Sequence, residues 1–111
     1  MKNLILNVGL VTSSNFGEVF NIPESHAVAL IQAHGLKVVN KKVEMSNTES
    51  TLIASVEVEE NANAEKIING LSDALHQDCI AWFDTDSQNG FLTGQYADSW
   101  GGEFKAEYFL I

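Results

Sequence analysis

The stretch "LSDALHQDCIAWFDTD" (Leu71–Asp86) joins two strongly apolar segments through three residues, Gln77, Asp78 and Cys79. Upstream, Ala64, Ile67, Ile68, Leu71 and Leu75 recur at the three- and four-residue spacing of one helical face. Downstream, "CIAWF" is apolar on both alternating faces, the mark of a strand covered on both sides. A helix thus passes into a buried strand with almost no spacer. Such a junction leaves the last helix carbonyls and the first strand amides in need of partners. Gln77 can donate and accept, Asp78 can accept from amides, and Cys79, the only cysteine, is small enough to enter the sheet.

Working outward, "TLIASVEVEE" precedes this helix and alternates cleanly. Leu52, Ala54, Val56 and Val58 face one way, and Ser55, Glu57 and Glu59 the other, which predicts a half-buried strand. Asn61 or Asn63 is the expected helix cap. Gly70 inside the helix costs about 1 kcal/mol relative to alanine, so a close helix–sheet contact is expected there. "LKVVNKKVEM" (Leu36–Met45) reads as a strand whose imperfect alternation predicts a bulge.

Farther upstream, Pro23 starts a helix, Ala27, Leu30 and Ile31 form its apolar stripe, and Gly35 stops it. "LILNVGLVT" (Leu4–Thr12) reads as a buried strand, followed by the loop "SSNFGE". After the central junction, "SQNG" reads as a turn, "FLTG" as a short strand and "EFKAEYFLI" as a closing strand. The order is β-α-β-β-α-β with C-terminal additions, an α+β, ferredoxin-like pattern in a single domain over residues 1–111. Two helices then cover one sheet face. Eight of the ten aromatic residues fall after residue 81, so the late segment is expected to cover the other face or to build a subunit interface. A homo-oligomer is expected, a trimer first.

Composition narrows the function classes. The chain has six lysines, no arginine and fifteen acidic residues, for a net charge of −9. The side chain best suited to bidentate phosphate or carboxylate recognition is missing, which argues against nucleic-acid binding through a basic groove. An acidic surface suits cationic ligands or basic partners, or serves solubility alone. "MKNLILNVGLV" is interrupted by Asn3 and Asn7, with no basic cluster before it and no small-residue cleavage site after it, so it is not read as a signal peptide. No stretch approaches the roughly 18–20 apolar residues of a membrane span. A lone cysteine fits a reducing cytoplasm.

Among chemistry-bearing residues, His26, His34 and His76 lack metal spacing and are read as surface or helix-end residues. Cys79 has His76 as its nearest base in sequence but is read as a small residue opening a strand. Ser13 and Ser14 have no nucleophile-elbow context, and neither a P-loop nor a dinucleotide fingerprint is present. Glu49, in "SNTESTL", stands at the end of a loop just before a strand entering the core, where ligand-handling residues concentrate. Its bland alternative is a solvated carboxylate.

The chain resembles the phage-encoded S-adenosylmethionine lyases, formerly called S-adenosylmethionine hydrolases, whose fold is related to the trimeric PII signalling proteins. The resemblance rests on "QDCIAWF", on "LILNVGLVTSSN" and on "TESTLIASVEVE", in that family's order over roughly residues 3–95. It implies a catalytic role for Glu49, if a two-residue length difference is allowed, and substrate contacts from Thr12, Ser13, Ser14 and Gln77. It implies S-adenosylmethionine as substrate, and neither metal nor cofactor. The family's catalytic Tyr has no counterpart in "NKKVEMSNTE", where Tyr96 or Tyr108 of a neighbouring subunit is the remaining candidate. Two other readings stay open: a catalytically silent nucleoside-binding module of the same fold, and a small acidic phage inhibitor of a basic host defence protein.

Overall fold

A computed structural model describes residues 1–13, 19–45, 50–77 and 79–94, with Thr12, Ser13, Val19 and Phe20 described by backbone alone. Its elements run β1 (Lys2–Ser13), β2 (Val19–Asn21), α1 (Glu24–Ala33), β3 (Lys37–Met45), β4 (Ser50–Val58), α2 (Ala64–Ala74), β5 (Ile80–Asp84) and β6 (Asn89–Thr93). This is an α+β fold. Five strands lie in the order β3-β4-β1-β5-β6, every pairing antiparallel, and the short β2 pairs with the far end of β1.

The long first strand is the axis of the sheet. Leu4, Leu6, Val8 and Leu10 point to one face and are buried there. The register sets Leu4 opposite Val56, Leu6 opposite Ala54 and Val8 opposite Leu52, so the apolar sets of β1 and β4 coincide. On the other side of β1, Leu6 pairs with Trp82 of β5. Ala27 and Ile31 of α1, Ile68 and Leu71 of α2, and Leu75 just after α2 close this core from above. Non-directional burial of this matched set is the main force holding the helices to the sheet. Trp82 is fixed twice. Its indole Nε1 donates to Thr93 Oγ1 at 2.9 Å, and its ring stacks on Phe91 at a centroid distance of 4.4 Å.

Local signals act as the sequence suggests at several ends. Asn63 caps α2 by accepting from the Lys66 amide at 3.2 Å. Gly35, at φ +87°, ends α1 in the left-handed region that glycine enters without strain. The expected irregularity of β3 is a register shift between Val38 and Asn40. Lys41 pairs with Glu24 of α1 at 3.3 Å and Lys42 with Glu44 at 3.1 Å, which leaves this outer strand kinked and charged.

Two local readings change. The β5–β6 turn occupies Thr85–Gln88, upstream of the expected "SQNG", and Asn89 and Gly90 are paired in β6. Asp84 Oδ1 accepts from the Asp86 amide at 2.9 Å and so holds the turn at its first residue. Gly70 does not meet the sheet. It is exposed, and a Cβ built there would meet only the His34 ring, 3.9–4.0 Å away. That is ordinary contact, so Gly70→Ala is expected to stabilise the protein by about 0.5–1 kcal/mol, read as a higher urea midpoint at unchanged slope. Ile53 is 2% exposed although it sits on the face of β4 that alternation assigns to polar residues. The expected closing strand "EFKAEYFLI" lies outside the described residues.

Candidate functional site

Of the residues singled out from sequence, Thr12, Ser13 and Gln77 are described, and the topology brings them toward one end of the sheet. Val11 of β1 is paired with Ser50 of β4, across a β-bulge that separates it from the Gly9–Thr51 pair. Thr12 and Ser13 follow directly on β1, their backbones paired with Phe20 and Val19. Ser50 is the residue after Glu49. Thr12, Ser13 and Ser50 are therefore close across neighbouring strands, while Glu49 and Ser14 lie outside the described residues.

Gln77 reaches the same end from the other side. The β1–β5 pairing covers Leu4 to Asn7 and stops short of Gly9. There the Gln77 side chain takes over the role of a strand. Its Oε1 accepts from the Gly9 amide at 3.0 Å, and its Nε2 donates to the Gly9 carbonyl at 3.0 Å and to the Leu75 carbonyl at 3.1 Å. Both amide hydrogens are spent on the backbone, and among the described residues Oε1 accepts one bond of the two it can take.

The close of α2 explains how Gln77 is aimed. His76 has φ +54°, its amide donates to Asp73 O at 3.2 Å, and the Gln77 amide donates to Ser72 O at 2.9 Å. These paired bonds form a Schellman-type helix end with a non-glycine residue in the left-handed position. Ser72, fully buried, returns the bond by donating its hydroxyl to Gln77 O at 3.1 Å. The backbone of Gln77 is thus clamped before its side chain reaches β1. Ser72 and Gly9 were not legible as partners of Gln77. Gln77 lies 68 residues from Gly9, and no local spacing encodes so long-range a bond.

Other candidates separate from this end. His34 Nδ1 lies 2.7 Å from Leu30 O, within its own helix turn. Among the described residues no group of three or more His, Cys, Asp or Glu side chains is arranged to hold a metal ion. Cys79 is half-buried just before β5. A groove of about 440 Å³ runs between α2 and β6, lined by Asn63, Lys66, Asn69, Leu92 and Thr93 among others. Among the described residues its lining does not include Gln77. No helix among the described residues is long and apolar enough to cross a membrane.

No protein-family model, curated protein or solved structure matches the chain.

Proposed function

We propose that the protein is an S-adenosylmethionine lyase with a ferredoxin-like, PII-related fold, acting in the cytoplasm as a homotrimer without metal or cofactor. With the short β2 set aside, each helix joins two parallel strands that have a third strand between them: β1 and β3 flank β4, and β4 and β5 flank β1. That arrangement supports a split β-α-β reading of the fold. The observation that carries the functional reading is the meeting, at one end of the sheet, of the β1 end, the Ser50 start of β4 and Gln77.

The reaction asks little of a protein. The substrate's carboxylate oxygen attacks the carbon beside the sulfonium, the carbon–oxygen bond forms as the carbon–sulfur bond breaks, and sulfur leaves with the electron pair. Methylthioadenosine and homoserine lactone result. Opposite charges are lost together, so a partly dry pocket that holds the substrate folded back accelerates the step without a protein nucleophile. In this reading Glu49 holds the substrate's amino group by a charge-assisted hydrogen bond. Thr12, Ser13 and Ser14 donate to its carboxylate, a task that falls to hydroxyls and amides in a chain without arginine. Gln77 fixes the end of β1 and offers its remaining Oε1 lone pair. Acidic loops at subunit boundaries attract the sulfonium.

The test is incubation of the purified chain with S-adenosylmethionine, followed by chromatography for methylthioadenosine. Turnover is expected, with Glu49→Gln reducing it by roughly 100-fold or more through loss of substrate placement. Absence of product over hours overturns the lyase reading. The lack of a Tyr in "NKKVEMSNTE" favours one second reading, a silent binder, in which calorimetry shows heat with S-adenosylmethionine while no product forms.

A further inference from the structure

Asparagine is followed by glycine twice in the chain, at Asn69–Gly70 and at Asn89–Gly90. An asparagine in that position can lose its side-chain amide when the next backbone nitrogen attacks it. Glycine, without a Cβ, hinders the attack least. Asn69 and Asn89 are both exposed, so exposure does not choose between them. Their places in the fold do. Closing the five-membered ring requires a ψ far from both helical and extended values. Each site must therefore open locally before it reacts, and the lower opening cost decides.

Asn69 lies in the middle of α2, where the helical ladder engages the Gly70 amide. Ile68 and Leu71, which flank the pair, are fully buried in the core. Freeing Asn69 and Gly70 means unwinding the centre of the helix and drawing both apolar side chains into water.

Asn89 lies at a margin. It is the first residue of β6 and directly follows the Thr85–Gln88 turn, in which Asp86, Ser87 and Gln88 are exposed. Gln88 has φ +61°, a left-handed conformation that strains a residue bearing a Cβ. The turn is held by short-range bonds. The Gln88 amide donates to Asp84 O at 2.9 Å, Asp84 Oδ1 accepts from the Asp86 amide at 2.9 Å, and Gln88 Nε2 donates to Thr85 O at 2.7 Å. None of these bonds buries an apolar side chain. Opening the turn releases Asn89 and Gly90, the end rungs of the β5–β6 ladder, while Trp82 keeps its contacts with Thr93 and Phe91.

We propose that Asn89 is a site of spontaneous deamidation in the folded protein, and that the helix protects Asn69. The Gly90 nitrogen gives its proton to a solvent base and bonds to Asn89 Cγ. The bond from Cγ to the side-chain nitrogen breaks, and that nitrogen leaves with the electron pair and a proton as ammonia. Water then opens the cyclic imide at either carbonyl, leaving aspartate or isoaspartate at position 89.

The register makes this product costly. Asn89 is paired with Asp84, so the new carboxylate stands opposite the one that holds the turn, and like charges so placed are destabilising. Isoaspartate also adds a main-chain carbon at the root of β6 and displaces the rungs that follow. Because β6 supplies both groups that fix Trp82, the modification loosens the β5–β6 hairpin first. This is independent of the lyase reading.

The full chain is incubated at physiological pH and temperature, native and in parallel unfolded in guanidinium chloride, and both asparagines are followed by peptide mapping and mass spectrometry. In the unfolded chain the two are expected to convert at comparable rates. In the native chain Asn89 is expected to convert several-fold faster than Asn69. Comparable rates in the native chain, faster loss at Asn69, or conversion of neither while the unfolded chain loses both, overturns the assignment. As a second readout, Asn89→Asp is expected to unfold at a lower urea concentration than Asn89→Gln. Equal midpoints overturn the loosening of the hairpin.

Discussion

Replacing Gln77 by leucine is expected to destabilise the fold by about 2–4 kcal/mol, although the substitution adds apolar surface near the core. The side chain makes three bonds, to the Gly9 amide, the Gly9 carbonyl and the Leu75 carbonyl, and leucine leaves all three groups without that partner. A buried unpaired group costs about 1–3 kcal/mol, and these are partly buried, so values near the low end apply to each. Gly9 sits where β1 has lost the company of β5, so no strand among the described residues is placed to take over. Gln77→Glu separates the two roles of the amide. It retains an acceptor for the Gly9 amide but sets oxygen against two carbonyl oxygens, so at neutral pH it is expected to be no better than leucine. Urea denaturation of the three proteins checks this. A midpoint for Gln77→Leu indistinguishable from wild type would mean that the three bonds are dispensable.

The other large effect is expected at Leu6, where alanine should cost about 3–4 kcal/mol. Leu6 is fully buried at the middle of the sheet, paired with Ala54 on one side and Trp82 on the other. The size of the loss depends on whether neighbours can relax into the space. Ala54 has nothing to extend, and Trp82 is pinned by its bond to Thr93 and its stack on Phe91. The cavity therefore persists, and the cavity term adds in full to the transfer term. At roughly 4–8 °C per kcal/mol for a domain near this size, thermal unfolding should fall by more than about 12 °C. A shift of only a few degrees would show that Trp82 is freer than its two contacts imply.

Much of the architecture was readable because it is written locally. Helix stripes, the alternation of β4, the Asn63 cap and the Gly35 stop each act within about one turn or one strand, and each appears where its pattern lies. The β5–β6 turn was misplaced because Asn89 and Gly90 have the composition of a turn, while Gln88 takes φ +61°, a conformation that residue rarely signals. Gly70 suggested a tight approach to the sheet, but its open side meets α1 through His34. Ile53 shares a β4 face with Ser55 and Glu57 yet is 2% exposed, because alternation reports which residues share a face and not how deeply each is buried. At the candidate site, the sequence marked Gln77 as a residue able to donate and accept. It held no trace of Gly9 as the receiver, because a bond over 68 positions depends on the assembled sheet.

The two outer margins of the sheet differ in chemistry. β3 presents Lys37, Lys41 and Lys42 with a kink at Val39, whereas β6 presents the uncharged run Asn89–Thr93 with Phe91 partly exposed. A stray strand approaching the lysine side must desolvate ammonium groups and match a broken ladder; among the described residues, one approaching β6 meets neither obstacle. Edge-to-edge association is therefore expected to favour Phe91's strand, and a single lysine introduced at Leu92 is expected to suppress it.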